Sequence, residues 1–351
     1  MSALAPVLHI KGSTKTKSNG KNIFTFNPVE YQEEFAKNGF VLIKNGINTD
    51  FLAVAIEQAE KQKIVQKELT NCFFKGKKRQ YLYDFENWDF QSTSIETLAK
   101  TARLPVHKMT LCERHIKVYE PDANAHVPAH KDRVAAQLTV GIPLFIPENS
   151  HIVLWPDNDL AINPLNSTAL WRSSLDENEL PENILKDIKP VRVYADPGDV
   201  VIFRGNSIHH ERENPANARL LYLKVNAMRL DPVGEDPSTL HQQKSSQKIL
   251  RQLDDRKLLD CLVEVSPRLE KISRHYTRLY WKEVIQAYVA GEKEFTLSEI
   301  ELEVFKKVEG QETVREIISR LGIPKPEHLN YVPMVRRLAS LKGLDVIAPI
   351  F

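Results

Sequence analysis

The sequence predicts an α+β fold in which an antiparallel β-sandwich or small β-barrel lies between two helical regions. Between residues 114 and 225, short apolar segments are separated by turns rich in Pro, Gly, Asn and Asp, and no helical pattern lies between them. Helical patterns precede this region and return beyond Pro232. The strands are therefore expected to form one central unit.

The chain has 351 residues and a mass of 40.2 kDa, which is enough for about two domains or for one large domain with an appendage. Apolar residues (42%) and charged residues (27%) occur at the levels of a soluble globular protein that buries its own core. The 48 Lys and Arg residues nearly balance the 46 Asp and Glu residues, so we expect no nucleic-acid partner.

The three cysteines, Cys72, Cys112 and Cys261, are few, odd in number and far apart. This usage argues against a disulfide framework and favours a reducing, cytoplasmic location. No apolar run is long enough to span a bilayer, so we expect no membrane partner. The apolar part of the N-terminus is also too short for a signal peptide.

The first elements are helical, with one short strand. Residues 1–23 are expected to form a flexible arm, because they end in a stretch of Lys, Ser, Thr, Gly and Asn. A helix is predicted over 29–38 and a buried strand over 39–43, and Asp50 can cap the helix that follows. The basic and aromatic stretch 73–85 fits either the charged wall of a site or a solvated loop.

The central unit, placed within residues 24–232, owes its strand prediction to apolar segments bounded by turn residues. The predicted strands cover residues 116–118, 134–142, 151–155, 167–171, 191–194, 200–203 and 220–225.

Beyond Pro232 we expect a helical segment over 233–290 and a separate unit over 291–351. The latter shows three helical patterns and a short apolar strand, which is typical of a winged-helix-like domain. Its nine basic and ten acidic residues give a net charge of about −1, which argues against DNA binding. Dimerisation (a homodimer), a lid, peptide recognition and a structural cap remain open roles for it.

The residues that point to chemistry are His130, Asp132, His209 and Arg219. In an extended segment His130 and Asp132 face the same side, so an imidazole and a carboxylate can bind one ion. His209, which follows an apolar strand, is placed to supply a third ligand. Two histidines and a carboxylate on one face of an octahedral iron leave three positions for a bidentate 2-oxo acid and dioxygen. Arg219 can pair with the far carboxylate of that acid.

These residues resemble the Fe(II)- and 2-oxoglutarate-dependent oxygenases, on the phytanoyl-CoA-hydroxylase-like side of that superfamily. The resemblance is carried by 128–132, by 197–199 leading to His209, by Asn214 and by Arg219, and it covers roughly residues 30–230. It implies a double-stranded β-helix of the jelly-roll kind with flanking helices.

The resemblance also implies roles and cofactors. His130, Asp132 and His209 would be the catalytic metal ligands, with Fe(II) as the metal and 2-oxoglutarate and O2 as cosubstrates. Arg219 would anchor 2-oxoglutarate. Relatives often carry Ser or Thr two residues past that arginine, where this chain has Leu221, so another group must complete the site. The candidates by strand position are Lys117, Tyr119, Gln137 and Thr139.

Two points stay open on the residues alone. His210 directly follows His209, and neighbours on a strand face opposite sides, so only one of them can join the site. The ten-residue step to Arg219 favours His209. The carboxylate of Asp132 favours hydroxylation, because halogenating relatives carry a small residue there, while desaturation and ring closure also remain open.

The substrate class is the least determined feature. A small metabolite, such as an amino acid or a natural-product intermediate, is the first choice. A peptide or protein residue recognised by residues 291–351 is the alternative. A cupin-type metal protein without a 2-oxo acid, or a ligand-sensing regulator, would be the non-oxygenase explanations.

Overall fold

Ten strands among the described residues between 40 and 226 form two antiparallel sheets. The computed structural model describes residues 21–65, 79–85, 88–123, 126–157 and 160–348. Cys72, most of the predicted N-terminal arm and residues 73–78 of the stretch 73–85 lie outside these residues. The ten strands are β1 (Phe40–Ile43), β2 (Arg79–Leu82), β3 (Thr110–Val118), β4 (His126–His130), β5 (Leu138–Phe145), β6 (His151–Trp155), β7 (Val191–Val193), β8 (Val200–Phe203), β9 (His209–Glu213) and β10 (Arg219–Asn226).

The two sheets face each other as in a jelly roll. One has the order β1-β8-β5-β10-β3-β2 and the other the order β4-β9-β6-β7, so the chain from β3 to β10 winds between them. Ile152 and Leu154 of β6 pack against Val201 and Phe203 of β8, which closes one end of the sandwich. The predicted antiparallel sandwich is confirmed.

Helices cover the outer face of the six-stranded sheet. Every second side chain of β10, including Leu221 and Leu223, enters a large core with Phe35, Phe51 and other helix residues. The helices of this part of the chain are α1 (Gln32–Asn38), α2 (Thr49–Val65) and α3 (Ile95–Thr101). The predicted first helix and strand are confirmed, but the side chain of Asn48, and not Asp50, accepts the amides that start α2.

Part of the inner face of the same sheet, on β3 and β10, is polar. Lys117, Tyr222 and Lys224 alternate with the apolar residues of β3 and β10 and point between the sheets. This inward polar face is the structural basis of the site described below.

A segment between β6 and β7 differs from the prediction. Residues 167–171, expected as a strand, begin α4 (Thr168–Ser173), whose N-cap is Ser167. The side chain of Ser167 accepts the amide of Leu170, a local bond that favours a helix start. A short helix, α5 (Pro181–Ile184), follows it.

The prediction of a helical segment over 233–290 is wrong for its second half. Helices α6 (Pro237–Gln252) and α7 (Asp255–Leu258) are followed by strands β11 (Leu262–Val265), β12 (Leu269–Thr277) and β13 (Lys282–Val289). In β13 the buried residues are Ile285, Ala287 and Val289, which is the period of two of a strand. The aromatic and charged residues of 274–283 hide this alternation in the sequence.

The last part of the chain contains the three predicted helices. They are α8 (Glu299–Lys307), α9 (Val314–Arg320) and α10 (His328–Ser340), preceded by β14 (Phe295–Leu297) and followed by β15 (Leu344–Ile347). The strand order β12-β13-β14 makes one sheet, and β15 pairs antiparallel with β11. The assignment to the winged-helix class stays a prediction. No described helix is long and apolar enough to cross a membrane.

Asp345 of β15 is an exception within this otherwise apolar core. It lies opposite Glu264 of β11 and is fully buried. Neither of its carboxylate oxygens has a hydrogen-bond partner among the described residues. Burial and the charge of Glu264 raise the pKa of Asp345 to about 7, although Arg229, the ion-pair partner of Glu264, opposes the shift.

Asp345→Asn should therefore remove a pH-dependent cost. Because the folded pKa of about 7 exceeds the ordinary value of 3.8, the folded state binds the extra proton, and stability falls as pH rises between these values. We expect the variant to gain about 2–4 kcal/mol over the parent at pH 8 and almost nothing at pH 4, measured by urea unfolding. Asp187→Asn, at an exposed position, is the control. A gain that does not vary with pH would contradict this account.

Candidate metal centre

His130 ends β4, and Asp132 lies in the turn that follows. The amide of Asp132 donates to the carbonyl of Gly205 at 2.8 Å, which ties this turn to the chain after β8. The side-chain amide of Asn163 donates to the carbonyl of Asp132 at 2.9 Å. A Cβ on Gly205 would lie 2.8 Å from Oδ2 of Asp132, so only glycine lets the carboxylate occupy this point.

His210 completes the group. It lies in β9 in register with His130, and the two ring centroids are 4.3 Å apart. One ligand atom from each of His130, Asp132 and His210 lies within 4.8 Å of the others, and all three residues are buried. In the part of the chain that the structure describes, no other cluster of His, Cys, Asp or Glu meets this condition.

The expectation that His209 is the third member is wrong. Consecutive residues of β9 face opposite sides, and His209 lies against Trp171 of α4, with ring centroids 5.7 Å apart. The spacing to Arg219 favoured His209 in the sequence, but that spacing assumed that Arg219 also faces the cavity.

The hydrogen bonds of the two imidazoles orient them toward the shared point. Nδ1 of His130 donates to the carbonyl of Pro128 at 2.9 Å, and Nδ1 of His210 donates to the carbonyl of Ile208 at 3.0 Å. A carbonyl can only accept, so in each neutral ring Nδ1 carries the hydrogen and Nε2 carries the lone pair. Nε2 of His210 lies 3.7 Å from Oδ2 of Asp132.

The protonation states suit a metal. Burial, together with the neighbouring His210, holds the pKa of His130 well below its ordinary value, and burial likewise lowers the pKa of His210. Burial opposes ionisation of Asp132, but Lys224 outweighs it, and the pKa of Asp132 is lowered. At neutral pH the group therefore offers two neutral imidazoles and one carboxylate, the forms that bind metals.

Lys224 and Thr139 hold the carboxylate. Nζ of Lys224 lies 2.6 Å from Oδ1 of Asp132, and Oγ1 of Thr139 donates to Oδ2 at 2.7 Å. Burial alone would lower the pKa of Lys224, but Asp132 and Glu113 raise it, so the amine is charged. Each carboxylate oxygen has two lone pairs, so these bonds leave capacity for a metal.

A buried ionic network continues from Lys224 away from the cavity. Lys224 lies 3.4 Å from Glu113, which is also paired with Arg133 at 2.9 Å. Nε2 of His115 lies 2.6 Å from Glu235. Burial opposes ionisation of Glu113, but Lys224 and Arg133 outweigh it and lower its pKa. The network balances charge inside the sandwich, where an unpaired ion would be costly.

A cavity between the sheets opens beside the group. Three of the predicted cofactor-binding residues, Lys117, Tyr119 and Thr139, line it. The other residues that border it, besides the His–Asp–His group, are Ile152, Glu211, Arg212, Tyr222 and Lys224.

Arg212 is the residue that the sequence analysis missed. It lies two residues beyond His210 on β9, faces the same side, and is buried. Its guanidinium donates to Oγ of Ser150 and to the hydroxyl of Tyr222, both at 3.3 Å. Nζ of Lys117 lies 4.5 Å from the centre of the Tyr222 ring, so two cations flank this tyrosine. Once His210 is chosen, the i, i+2 rule would have found Arg212.

Arg219 and Gln137 do not lie in the cavity. Arg219, the first residue of β10, pairs with Glu60 of α2 and lies over the ring of Phe145. Oε1 of Gln137 accepts the backbone amide of Ala227 at 2.8 Å. The prediction that these two residues face the site is wrong: β10 turns its even-numbered residues inward from Leu220 onward, and Gln137 is held by the backbone of Ala227.

The donor set fits a divalent transition metal. Two imidazoles and one carboxylate occupying one side of an ion leave its other positions open, as in non-haem iron sites. The hydrogen bonds from Nδ1 of both histidines, and the bonds that Asp132 accepts from Thr139 and Lys224, hold the three ligands in place, as such sites require.

Comparisons of the whole chain return structures but no sequence relatives. No family model and no curated protein matches the sequence. Among solved structures, SnoK, a non-heme alpha-ketoglutarate-dependent carbocyclase from nogalamycin biosynthesis, is 16% identical over 59% of this chain and 86% of its own, with a TM-score of 0.44. A prolyl-4-hydroxylase from Pseudomonas putida is 12% identical over 57% and 97%, with a TM-score of 0.40. HygX from Streptomyces hygroscopicus, solved with nickel, 2-oxoglutarate and hygromycin B, is 15% identical over 57% and 88%, with a TM-score of 0.38.

Substitution of the two adjacent histidines should separate their roles. We expect His210→Ala to weaken Mn(II) or Fe(II) binding by about 100-fold or more, because it removes a ligand, and His209→Ala to change it little. Isothermal titration under anaerobic conditions measures both, with circular dichroism as the check that each variant is folded. Loss of binding in the His209 variant alone would contradict the assignment.

Lys224→Met should make the fold depend on metal. Removing one partner of a buried ion pair leaves Asp132 and Glu113 uncompensated and should cost about 3–5 kcal/mol without metal. A divalent ion can replace the missing positive charge, so Mn(II) should raise the melting temperature of the variant more than that of the parent. Equal shifts in both proteins would show that Lys224 and the ion do not share Asp132.

Proposed function

We propose that the chain is an Fe(II)- and 2-oxoglutarate-dependent oxygenase that hydroxylates a small metabolite and releases succinate and CO2. The observation that carries the proposal is the His130–Asp132–His210 group at the mouth of a cationic cavity inside a jelly roll. The overall conversion balances: one oxygen atom of O2 enters the substrate C–H bond and the other enters succinate.

The protein's part begins with holding the metal. His130 and His210 present Nε2, and Asp132 supplies a carboxylate oxygen, so three neighbouring positions are filled by the protein. When bound, iron supplies activation of O2 and one-electron chemistry at the remaining positions. The retained carboxylate of Asp132 favours hydroxylation over halogenation.

Arg212 is the proposed anchor of the far carboxylate of 2-oxoglutarate. It lies two residues from His210, about 6.7 Å along the strand, a span that a five-carbon diacid can cover from the metal. Its guanidinium can bind a carboxylate in a bidentate manner, and Ser150 and Tyr222 offer hydroxyl donors beside it. Lys117 adds a second positive charge at the same wall.

A second cavity, which shares Ile152, Arg212 and Tyr222 with the first, has mostly apolar walls. The space beyond Arg212 is bordered by Pro143, Ile146, Val193 and Leu220, among others. A nonpolar surrounding strengthens the ion pair of Arg212 with a bound carboxylate. The buried position of the site supports a small metabolite as the substrate. A peptide or protein substrate could reach it only by inserting one of its own side chains.

Hydroxylation of a peptide is the second candidate, and one feature favours it. Strand β12 lies at an edge of its sheet, and a groove beside it is lined by Leu269, Ile272, Leu302 and Phe305. An extended peptide can pair with such an edge while its side chains enter the groove. The C-terminal unit would then supply recognition and the jelly roll the chemistry.

We propose a cytoplasmic location for this activity. Cys112 and Cys261 are both buried free thiols, which suits a reducing compartment.

Anaerobic titration with Fe(II) and then 2-oxoglutarate tests the proposal. We expect a weak visible charge-transfer band that needs both additions. Arg212→Met should weaken 2-oxoglutarate binding by about 10–100-fold, because charge-assisted hydrogen bonds are lost, while Arg219→Met should leave it nearly unchanged.

Three results would overturn parts of this assignment. No band with iron bound would favour a cupin-type metal protein. Retention on heparin at moderate salt, with no band, would favour a regulator. A larger effect of Arg219→Met than of Arg212→Met would return the anchor to β10.

A further inference from the structure

The hairpin formed by β12 and β13 ends in an unusually apolar turn. Leu279, Tyr280 and Trp281 are 78%, 78% and 75% exposed, and Tyr276 beside them is also exposed. Hairpin turns normally carry Gly, Asn, Asp, Pro or Ser, because these residues suit the backbone and water. Three large apolar side chains in one turn are therefore not explained by turn formation.

The arm that carries this turn projects beyond its sheet. Strand β14 pairs with β13 only at Ile285, Gln286 and Ala287. Further toward the turn, from Val284 to Lys282, β13 pairs with β12 alone. A two-stranded ribbon gains little stability by itself, so its tip does not contribute to the core.

Trp281 also has a strained backbone. Its φ is +49°, a region that favours glycine and is rare for bulky residues. Backbone strain of this kind costs free energy and is concentrated at functional sites.

The charge around the tip is positive. From Arg274 to Lys282 the chain has no acidic residue. Arg274 pairs with Glu283 and Glu299 at the base of the arm. Arg278 and Lys282 have no ion-pair partner among the described residues and are exposed. The tip thus presents an apolar point between two cations.

We propose that this tip docks on an anionic lipid surface. Trp and Tyr favour the interface between water and lipid, Leu enters the acyl region, and Lys and Arg are attracted to anionic headgroups. The expectation of no membrane partner came from the lack of a spanning segment, which does not bear on a surface contact. This proposal does not depend on the oxygenase assignment.

The shape of the tip favours lipid over other partners. A stable protein interface takes about 800 Å² from each side, spread over some 20–30 residues, whereas this tip is a four-residue turn. Nucleic acid would stack on the aromatic rings but would have no use for Leu279, which is as exposed as they are. A fluid surface needs no matching pocket and can accept all three side chains.

Trp281 provides a reporter of its own docking. Of the other three tryptophans, Trp155 and Trp171 are buried and Trp88 is half-buried. Insertion of Trp281 into a bilayer should shift its emission to the blue and allow quenching by brominated lipid. Trp281→Phe keeps the apolar surface and removes this reporter.

The test uses the full chain and vesicles that contain phosphatidylglycerol and phosphatidylcholine, or phosphatidylcholine alone. We expect cosedimentation with the anionic vesicles, weakened by salt, and a blue shift that Trp281→Phe abolishes without releasing the protein. Changing Leu279, Tyr280 and Trp281 together to Ser should lower the partition constant by about tenfold or more. Leu170→Ser, at an exposed position on α4, is the matched control and should bind normally.

Trp281→Gly separates docking from folding. Glycine relieves the positive φ, so the melting temperature should stay the same or rise while vesicle binding falls. Binding that survives the triple Ser change, or no binding by the parent, would overturn the proposal. Retention on single-stranded RNA without vesicle binding, or a tip-dependent dimer in light scattering, would also overturn it in favour of those partners.

Discussion

The ion pair between Asp132 and Lys224 is the interaction on which the interior of the sandwich depends. Asp132 comes from the four-stranded side of the fold, and Lys224 comes from the middle of β10 in the six-stranded sheet. Thr139 donates to the same carboxylate from β5, and Gly205 leaves room for it. The two sheets therefore meet here through charged side chains, apart from the apolar contact between β6 and β8. A buried ion pair stabilises a fold less than packed apolar side chains would. The pair is therefore better explained by the role of Asp132 in holding a metal than by stability.

The other buried charges of the interior balance or extend this ion pair. Glu113 shares Lys224 with Asp132 and is itself balanced by Arg133. On the other side of the group, Arg212 and Lys117 leave the cavity with an excess of positive charge, which suits a dianionic cosubstrate. A single pattern produces this arrangement: β3 and β10 send alternate side chains into the helix-covered core and into the cavity, so apolar packing and polar chemistry use the same strands without conflict.

The sequence predicts the parts of the molecule in which local pattern and tertiary position agree. Turn residues predict β3, β5, β6, β8 and β10, and an extended triplet places His130 and Asp132 on one side, whereas β4 and β9, which carry His130 and His210, are absent from the predicted strands. The spacing from Arg219 favours His209 over His210, yet Glu60 and the ring of Phe145 hold that arginine outside the cavity, which no local pattern reveals. The sequence predicts helix for the hairpin of β12 and β13, because its exposed aromatic tip masks the alternation of its buried half. Long-range contacts, and not residue preference, determine both the direction of Arg219 and the formation of this hairpin.

The most direct test of the central claim is a crystal structure of the chain with Mn(II) and 2-oxoglutarate, with anomalous scattering used to locate the metal. The account predicts one strong peak bonded to Nε2 of His130, Nε2 of His210 and the carboxylate of Asp132, with the far carboxylate of 2-oxoglutarate on Arg212. A peak at His209 would contradict it. So would the absence of metal at His130, Asp132 and His210 in crystals saturated with Mn(II).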